Sequence, residues 1–394
     1  MYSNFEYYAP TKVVFGKGTE AQTGKLIRQF GGTRVLLHYG SQSAVKSGLL
    51  GRIKEALDAE GIYYVELGGV VPNPHLSKVY EGIELGRKEN VDFLLAVGGG
   101  STIDSAKAIA AGLANPDDDV WDYYIRKKTT DKCLPVASVL TIAAAGSEMS
   151  NGSVITNDTN WLKRDFGGEL MRPKFAIMNP ELTMTLPKYQ TFSGIADILM
   201  HTMERFFNQA ENMELTDNIS IALMRTVMKY AKVLLDDPNN YNARAEIMWA
   251  GSLSHNDLTG CGAEGGDWAT HNMEHEMGGM FDVAHGAGLA AIWGSWARYV
   301  HKAAPHRFIK FATEVIGATP GFDDEDTIEK GIQGMETFYR LTGMPTNMRE
   351  LGIAPTDEQI AFMAASCEEK AGGANGAVIP LKKEDMEKIY RMAL

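Results

Sequence analysis

Short apolar runs separated by longer amphipathic stretches fill the first half of this 394-residue chain. RVLLHYG (34–40), IYYVELGG (62–69), DFLLAVGGGS (92–101), LPVASVLT (134–141) and KFAIMNP (174–180) are of strand length and rich in Val, Leu, Ile and Tyr. Strands alternating with helix-like segments predict a largely parallel sheet covered by helices. Between the first two runs, SAVKSGLLGRIKEALDAEG (43–61) has a Ser start, helical apolar spacing and a Gly stop, and predicts one helix. After LTMTLPKYQ (182–190) the strand signals end, and GIADILMHTMERFFNQ, LTDNISIALMRTVMKYAKVLLDD and ARAEIMWAGSLSHNDL carry long helical periodicity. The pattern divides the chain into an α/β domain, residues 1–185, and an all-α domain, residues 186–394, with no repeat or low-complexity linker.

Length supports that division, because one ordinary core does not serve so long a chain. Three cysteines, Cys133, Cys261 and Cys367, lie far apart without a C-x-x-C pair, which argues against a disulfide framework or a cysteine zinc site. The start, MYSNFEYYAPTKVVFG, lacks the basic and apolar regions of a signal peptide, and no run is long enough to span a membrane, so the expected home is the cytoplasm. With 50 acidic against 38 basic residues and no basic block, neither nucleic acid nor an anionic membrane is an expected partner. The expected partner is a small molecule.

Chemistry enters with LLAVGGGSTIDSAKAIA (94–110), which runs from a strand through Gly98, Gly99, Gly100 and Ser101 into a helix starting near Thr102. Glycines admit a pyrophosphate close to the backbone, and the free N–H groups of a helix start hold it. No Gly-Lys-Ser/Thr follows, so a nucleotide other than a hydrolysed ATP is indicated. After the first long strand the turn reads YGSQSAVK: Gly40, Ser41, Gln42 and Ser43 carry no carboxylate for ribose hydroxyls, and Lys46 is near enough to serve a phosphate, favouring NADP(H) over NAD(H).

The helical half adds candidate metal ligands. Asp197 and His201, four apart in GIADILMHTMERF, share one helix face, and DWATHNMEHEMGGMFDVAHGAG adds His271, His275 and His285. HNMEH alone fits the H-x-x-E-H pattern of inverted zinc peptidases, with His271 and His275 as ligands and Glu274 as base. Asp197, His201, His271 and His285 together form a set of the kind that binds Zn²⁺ or Fe²⁺.

These segments together resemble the iron-containing (group III) alcohol dehydrogenases, in the branch of butanol dehydrogenases and broad aldehyde reductases. The resemblance spans KVVFGKG, VPNP, GGGSTIDSAKAIA, LTIAAAGSEMSNGSVIT, DILMHTMERF and HNMEHEMGGMFDVAHGAGLA, nearly the whole chain. It implies a dehydroquinate synthase-like fold and one divalent metal held by Asp197, His201, His271 and His285, with His275 beside the nicotinamide but not a primary ligand. It also implies a dinucleotide lying across Gly40 to Ser43, Asn73, Gly98 to Ser101, Asp104 and Thr141, with Lys163 a further candidate. Two departures stand out: YGSQSAVK where the branch shows YGGGS, and IAAAGSE where it shows PATGSE.

The expected reaction is hydride transfer between NAD(P)H and a short-chain aldehyde or primary alcohol, with the metal polarising the oxygen and His275 relaying the proton. The competing readings are a non-redox lyase of the same fold and a metallohydrolase. Residues 151–166 and the neighbourhood of Trp268 are expected to line the substrate pocket, His255 is a further lining candidate, and the TKVVFGKG strand is expected to pair with its copy in a homodimer.

Overall fold

Each of the five apolar runs forms a strand in the computed structural model, which describes residues 3–40, 43–263 and 265–394. The strands are β1 (Lys12–Phe15), β2 (Arg34–Tyr39), β3 (Tyr63–Leu67), β4 (Phe93–Gly98), β5 (Val136–Leu140), β6 (Gly152–Asn157), β7 (Leu162–Gly167) and β8 (Phe175–Met178). Six of them make one parallel sheet in the order β1-β8-β5-β4-β2-β3, while β6 and β7 form an antiparallel hairpin. Among the described residues six α-helices accompany them: α1 (Thr23–Gln29), α2 (Ser43–Lys46), α3 (Leu49–Ala59), α4 (Leu76–Lys88), α5 (Gly100–Ala114) and α6 (Trp121–Tyr124).

Burial follows the sequence pattern. β4 is buried at every position, and Val35, Leu37, Leu95, Val97, Val139 and Ile177 pack with Leu26, Ile27, Ile53 and Leu57 in one core. Each such side chain contributes about 1.5–3 kcal/mol when fully buried.

One expectation changes, and the structure adds to two others. The helix expected over 43–61 is two, because Gly48 takes a left-handed conformation (φ 72°) between α2 and α3. The segment expected only as pocket lining contains the β6–β7 hairpin. β1 stands at the end of the sheet with one edge taken by β8 of its own chain, in the register Lys12↔Phe175 to Phe15↔Met178.

A buried histidine ties the sheet to the helix that follows the glycine turn. His38 of β2 is fully buried, with Nδ1 2.9 Å from the Leu67 carbonyl and Nε2 2.9 Å from the Ser105 hydroxyl on α5. The carbonyl requires a proton on Nδ1, so Nε2 accepts from Ser105. Burial lowers the imidazole pKa from 6.5 to about 4. The unfolded chain therefore binds a proton between those values that the folded chain does not, and the stability of the neutral ring, complete above pH 6.5, is lost as pH falls through about 4. Denaturant titrations between pH 7.5 and 4.5 should give wild type a steeper fall than His38→Phe, by up to about 1.4 kcal/mol per pH unit. Parallel slopes would refute it.

From Pro187 onward the chain is helical: α7 (Lys188–Phe206), α8 (Glu214–Asp236), α9 (Tyr241–Ser254), α10 (Ala269–Phe281), α11 (His285–Val300), α12 (Pro305–Lys310), α13 (Asp324–Leu341), α14 (Met348–Leu351), α15 (Asp357–Lys370) and α16 (Lys383–Met392). The chain resolves into two compact units, Tyr8–Leu186 and Pro187–Leu394, with residues 3–7 belonging to the second. The Ser3 N–H donates to the Gly262 carbonyl, and Asn256 Nδ2 donates to the Tyr7 hydroxyl at 3.3 Å. Among the described residues no helix is long and apolar enough to cross a membrane.

Candidate metal centre

Asp197 and His201 face the same way from α7, a helix buried along almost its whole length from Thr191 onward. Three imidazoles converge on one oxygen of that aspartate. Asp197 Oδ1 lies 3.2 Å from His201 Nδ1, 3.7 Å from His271 Nε2 and 3.7 Å from His285 Nε2. Oδ1 of Asp197, Nδ1 of His201 and Nε2 of His271 are buried with no hydrogen-bond partner among the described residues. Each such orphan costs about 1–3 kcal/mol. A cation with bonds near 2.0–2.1 Å separates tetrahedral ligands by about 3.3 Å, so a divalent metal would satisfy all three atoms at the observed spacings. The donor set thus fits one divalent ion. Asp197, His201 and His271 form the tightest group, while His285 also falls in a second group with Glu274 and His275.

The backs of two imidazoles are held by carboxylates. Glu204, also on α7, meets His271 Nδ1 at 2.8 Å and accepts from the His271 amide at 3.0 Å and from the Thr270 hydroxyl. Glu274 meets His285 Nδ1. Each contact leaves Nε2 directed at Asp197, the arrangement in which a carboxylate orients a metal-binding histidine. His285 reaches the group because Gly286 lets α11 approach α7. A Cβ there would overlap the Ser193 carbonyl oxygen and sit 2.8 Å from its carbon.

Beside the group, Trp268 precedes α10 with φ 60°, an unusual backbone for a bulky residue. Its Nε1 donates to the Gly265 carbonyl at 2.6 Å, and the Arg205 guanidinium lies 4.6 Å above its ring. The ring is edge-on to His201, His255 and His271, and His255 lies 4.0 Å from His201 between ring centres.

In the α/β unit, β4 passes through Gly98 and Gly99 into α5, which starts at Gly100, two residues before the expected position. Space around the three glycines is tight: a Cβ on Gly98 would lie 2.8 Å from Thr102 Cβ, on Gly99 3.0 Å from Ile142, and on Gly100 3.1 Å from Ala145. Gly40 flanks the same turn, 3.7 Å from Thr102 Oγ1 by the same measure, and Thr141 donates its N–H to the Gly98 carbonyl. Ser101 lies in the first turn of α5 and Ser43 begins α2, whereas Ser41 and Gln42 lie outside the described residues. Asp104 Oδ2 accepts from the Val154 amide at 2.9 Å and so fastens α5 to the hairpin. Asn73 is buried with φ 51°. Lys163 is buried on β7 opposite Thr156, whose amide donates to the Pro74 carbonyl, so VPNP and Lys163 are drawn together.

Family models for the iron-containing alcohol dehydrogenases match residues 10–180, and for their C-terminal region residues 191–394. The chain belongs to that family. This iron-containing alcohol dehydrogenase is 38% identical over 389 residues to NADH-dependent butanol dehydrogenase A of Clostridium acetobutylicum, covering 98% of this chain and 99% of that one. It is 33% identical to the NADPH-dependent aldehyde reductase YqhD of Escherichia coli, over 89% and 90% of the two chains. The crystal structure of NADH-dependent butanol dehydrogenase A from Thermotoga maritima matches with a TM-score of 0.95 at 37% identity, covering 100% of this chain and 99% of that one. The protein is thus an oxidoreductase that uses a nicotinamide cofactor and a metal.

Charge in the dehydrogenase's donor group is finely opposed. Burial works against the Asp197 carboxylate, but His201, His285 and His271 outweigh it and hold it ionised. Burial drives His201 well below its usual pKa; His271 is also buried, yet the carboxylates of Asp197 and Glu204 facing its two ring nitrogens raise it. His275 is buried beside this group, with Nδ1 2.7 Å from Lys370 Nζ and its ring 5.6 Å from that of His285. Sequence reasoning missed Glu204 as an orienting group and read Glu274 only as a hydrolase base. Glu204 lies seven residues after Asp197 and three after His201, on the same helical face, which was the available signal.

Proposed function

We propose that this dehydrogenase transfers hydride between NAD(P)H and a short-chain aldehyde or primary alcohol such as butanal or butanol. Asp197, His201, His271 and His285 would hold one Fe²⁺ or Zn²⁺. The single observation carrying the reading is the convergence of three imidazole nitrogens on one buried carboxylate oxygen. When bound, the ion supplies Lewis-acid polarisation of the substrate oxygen. Glu204 and Glu274 keep two of the imidazoles oriented for that ion. Gly98, Gly99, Gly100 and Ser101 bring backbone amides and the start of α5 to the cofactor pyrophosphate, with Gly40 to Ser43, Asn73, Asp104, Thr141 and Lys163 contributing to the dinucleotide site. His275 relays the proton that the substrate oxygen gains on reduction.

The carboxylate-free turn at 40–43, with Lys46 close by, supports NADP(H) over NAD(H), although the C. acetobutylicum and T. maritima relatives are named for NADH. A cytoplasmic homodimer is the proposed state. The peptidase reading fares worse, because Glu274, the base it needs, is engaged by His285 Nδ1, and His271 Nε2 is turned to Asp197.

The test is oxidation of NADPH and, separately, NADH with butanal, using anaerobically purified protein stripped by chelator and reloaded with Fe²⁺ or Zn²⁺. Turnover is expected only after reloading, and faster with NADPH. Full activity after stripping, or none with either cofactor across several aldehydes, sinks the proposal.

A further inference from the structure

Lys370 closes α15, half-buried, and its Nζ lies 2.7 Å from His275 Nδ1. An ammonium has donors and no acceptor, so Nδ1 must accept and the ring proton belongs on Nε2. The place of the ammonium is built rather than incidental. A cation suits the carbonyl end of a helix. Beyond it the chain turns through Gly372 and Gly373, at φ 73° and 106°, and returns to α10. There Asn375 accepts from Asn272 Nδ2 at 2.9 Å and donates to the Ala269 carbonyl at 3.1 Å, clamping the end of α15 to the helix that carries His275. Lys382 adds a hydrogen bond to the Gly373 carbonyl.

We infer that Lys370 is the outer member of the proton relay, donating to His275 Nδ1 as Nε2 gives its proton to the substrate oxygen. This rests on the proposed role of His275. In aldehyde reduction the nicotinamide, when bound, would supply the hydride to the carbonyl carbon, whose π pair goes to the oxygen. That oxygen takes the Nε2 proton, and Nδ1 takes one from the ammonium, so the imidazole stays neutral throughout. The resulting amine regains a proton from water, which reaches it because Lys370 is only half-buried. Alcohol oxidation runs the same chain backwards. Lys370 lies outside the proposed metal donor set, and a part in the relay places its loss on kcat.

The experiment compares Lys370→Met, Lys370→Arg, Lys370→Ala and His275→Asn with wild type, all metal-loaded, with metal content measured on each. Butanal is the substrate, with whichever cofactor wild type uses. Lys370→Met is expected to lower kcat about 10²-fold, the scale of a lost acid–base group, with KM for butanal and metal content within about twofold. Lys370→Arg keeps a donor at Nδ1 but holds its protons too tightly to pass one on. It should therefore preserve the Nε2–H tautomer of His275, read by ¹⁵N NMR, without restoring kcat. Methylammonium in the buffer should restore kcat to Lys370→Ala and leave His275→Asn unchanged. Parental kcat in Lys370→Met alongside a crippled His275→Asn would overturn the role of Lys370 alone. Parental kcat in His275→Asn would overturn the relay itself.

Discussion

Asp197→Asn is expected to leave the protein unable to retain its metal. The carboxylate oxygen on which His201, His271 and His285 converge loses its charge with almost no change in volume, so the imidazoles keep their places while the anchor for a divalent ion disappears. Lewis-acid stabilisation is worth several kcal/mol, so kcat for aldehyde reduction should fall on the order of 10³-fold. Metal analysis after dialysis, beside the kinetics, checks both effects. Glu204→Gln supplies a graded comparison, since it removes only the charge behind His271 and should weaken metal affinity about 10–100-fold. Stoichiometric metal in dialysed Asp197→Asn would mean that the ion is held elsewhere.

The second large effect concerns a residue with no donor atom in its side chain. Gly286→Ala places a Cβ against the Ser193 carbonyl, backbone against backbone, where no rotamer change can relieve the overlap. α11 must then move away from α7, and His285, the adjacent residue, moves with it. Overpacking of this kind costs about 1–3 kcal/mol. Denaturant midpoints should fall and metal affinity with them. Gly51→Ala is the control: it lies in α3, exposed, with nothing within 4 Å of the added carbon, and should be neutral or gain about 0.5–1 kcal/mol. Equal midpoints for the two variants would show that the helices separate without cost.

Legibility from sequence followed how locally each feature was encoded. β2, β4, β5 and β8 were visible because strands covered on both faces are mostly apolar along their length. The β6–β7 hairpin was not, since GSVITN and LKRDFG mix polar and apolar residues and their pairing is settled by neighbours such as Asp104 and Pro74. Gly48 passed unnoticed inside an amphipathic period, because a left-handed residue leaves no mark on hydrophobic spacing. At the donor group, Asp197 and His201 stood out by their four-residue interval on an apolar helix. Glu204 and Glu274 looked like ordinary helix carboxylates until burial and the imidazoles behind which they sit came into view. Lys370 is 95 residues from His275, and only the packing of α15 on α10 brings them together. The left-handed Trp268 was equally hidden, as nothing in a tryptophan announces that backbone.

The short opening stretch makes the helical unit a host and the α/β unit its guest. The chain starts on the host, leaves after Tyr7 and returns at Pro187. A fragment begun at Pro187 would hold all four proposed ligands yet lack the Ser3 and Tyr7 bonds to the loop between α9 and α10, which carries His255 and Trp268 beside those ligands. Dissecting this enzyme therefore calls for excising the guest and splicing residues 3–7 back through a linker. Simple truncation would cut the half that carries the proposed ligands away from its own first strap.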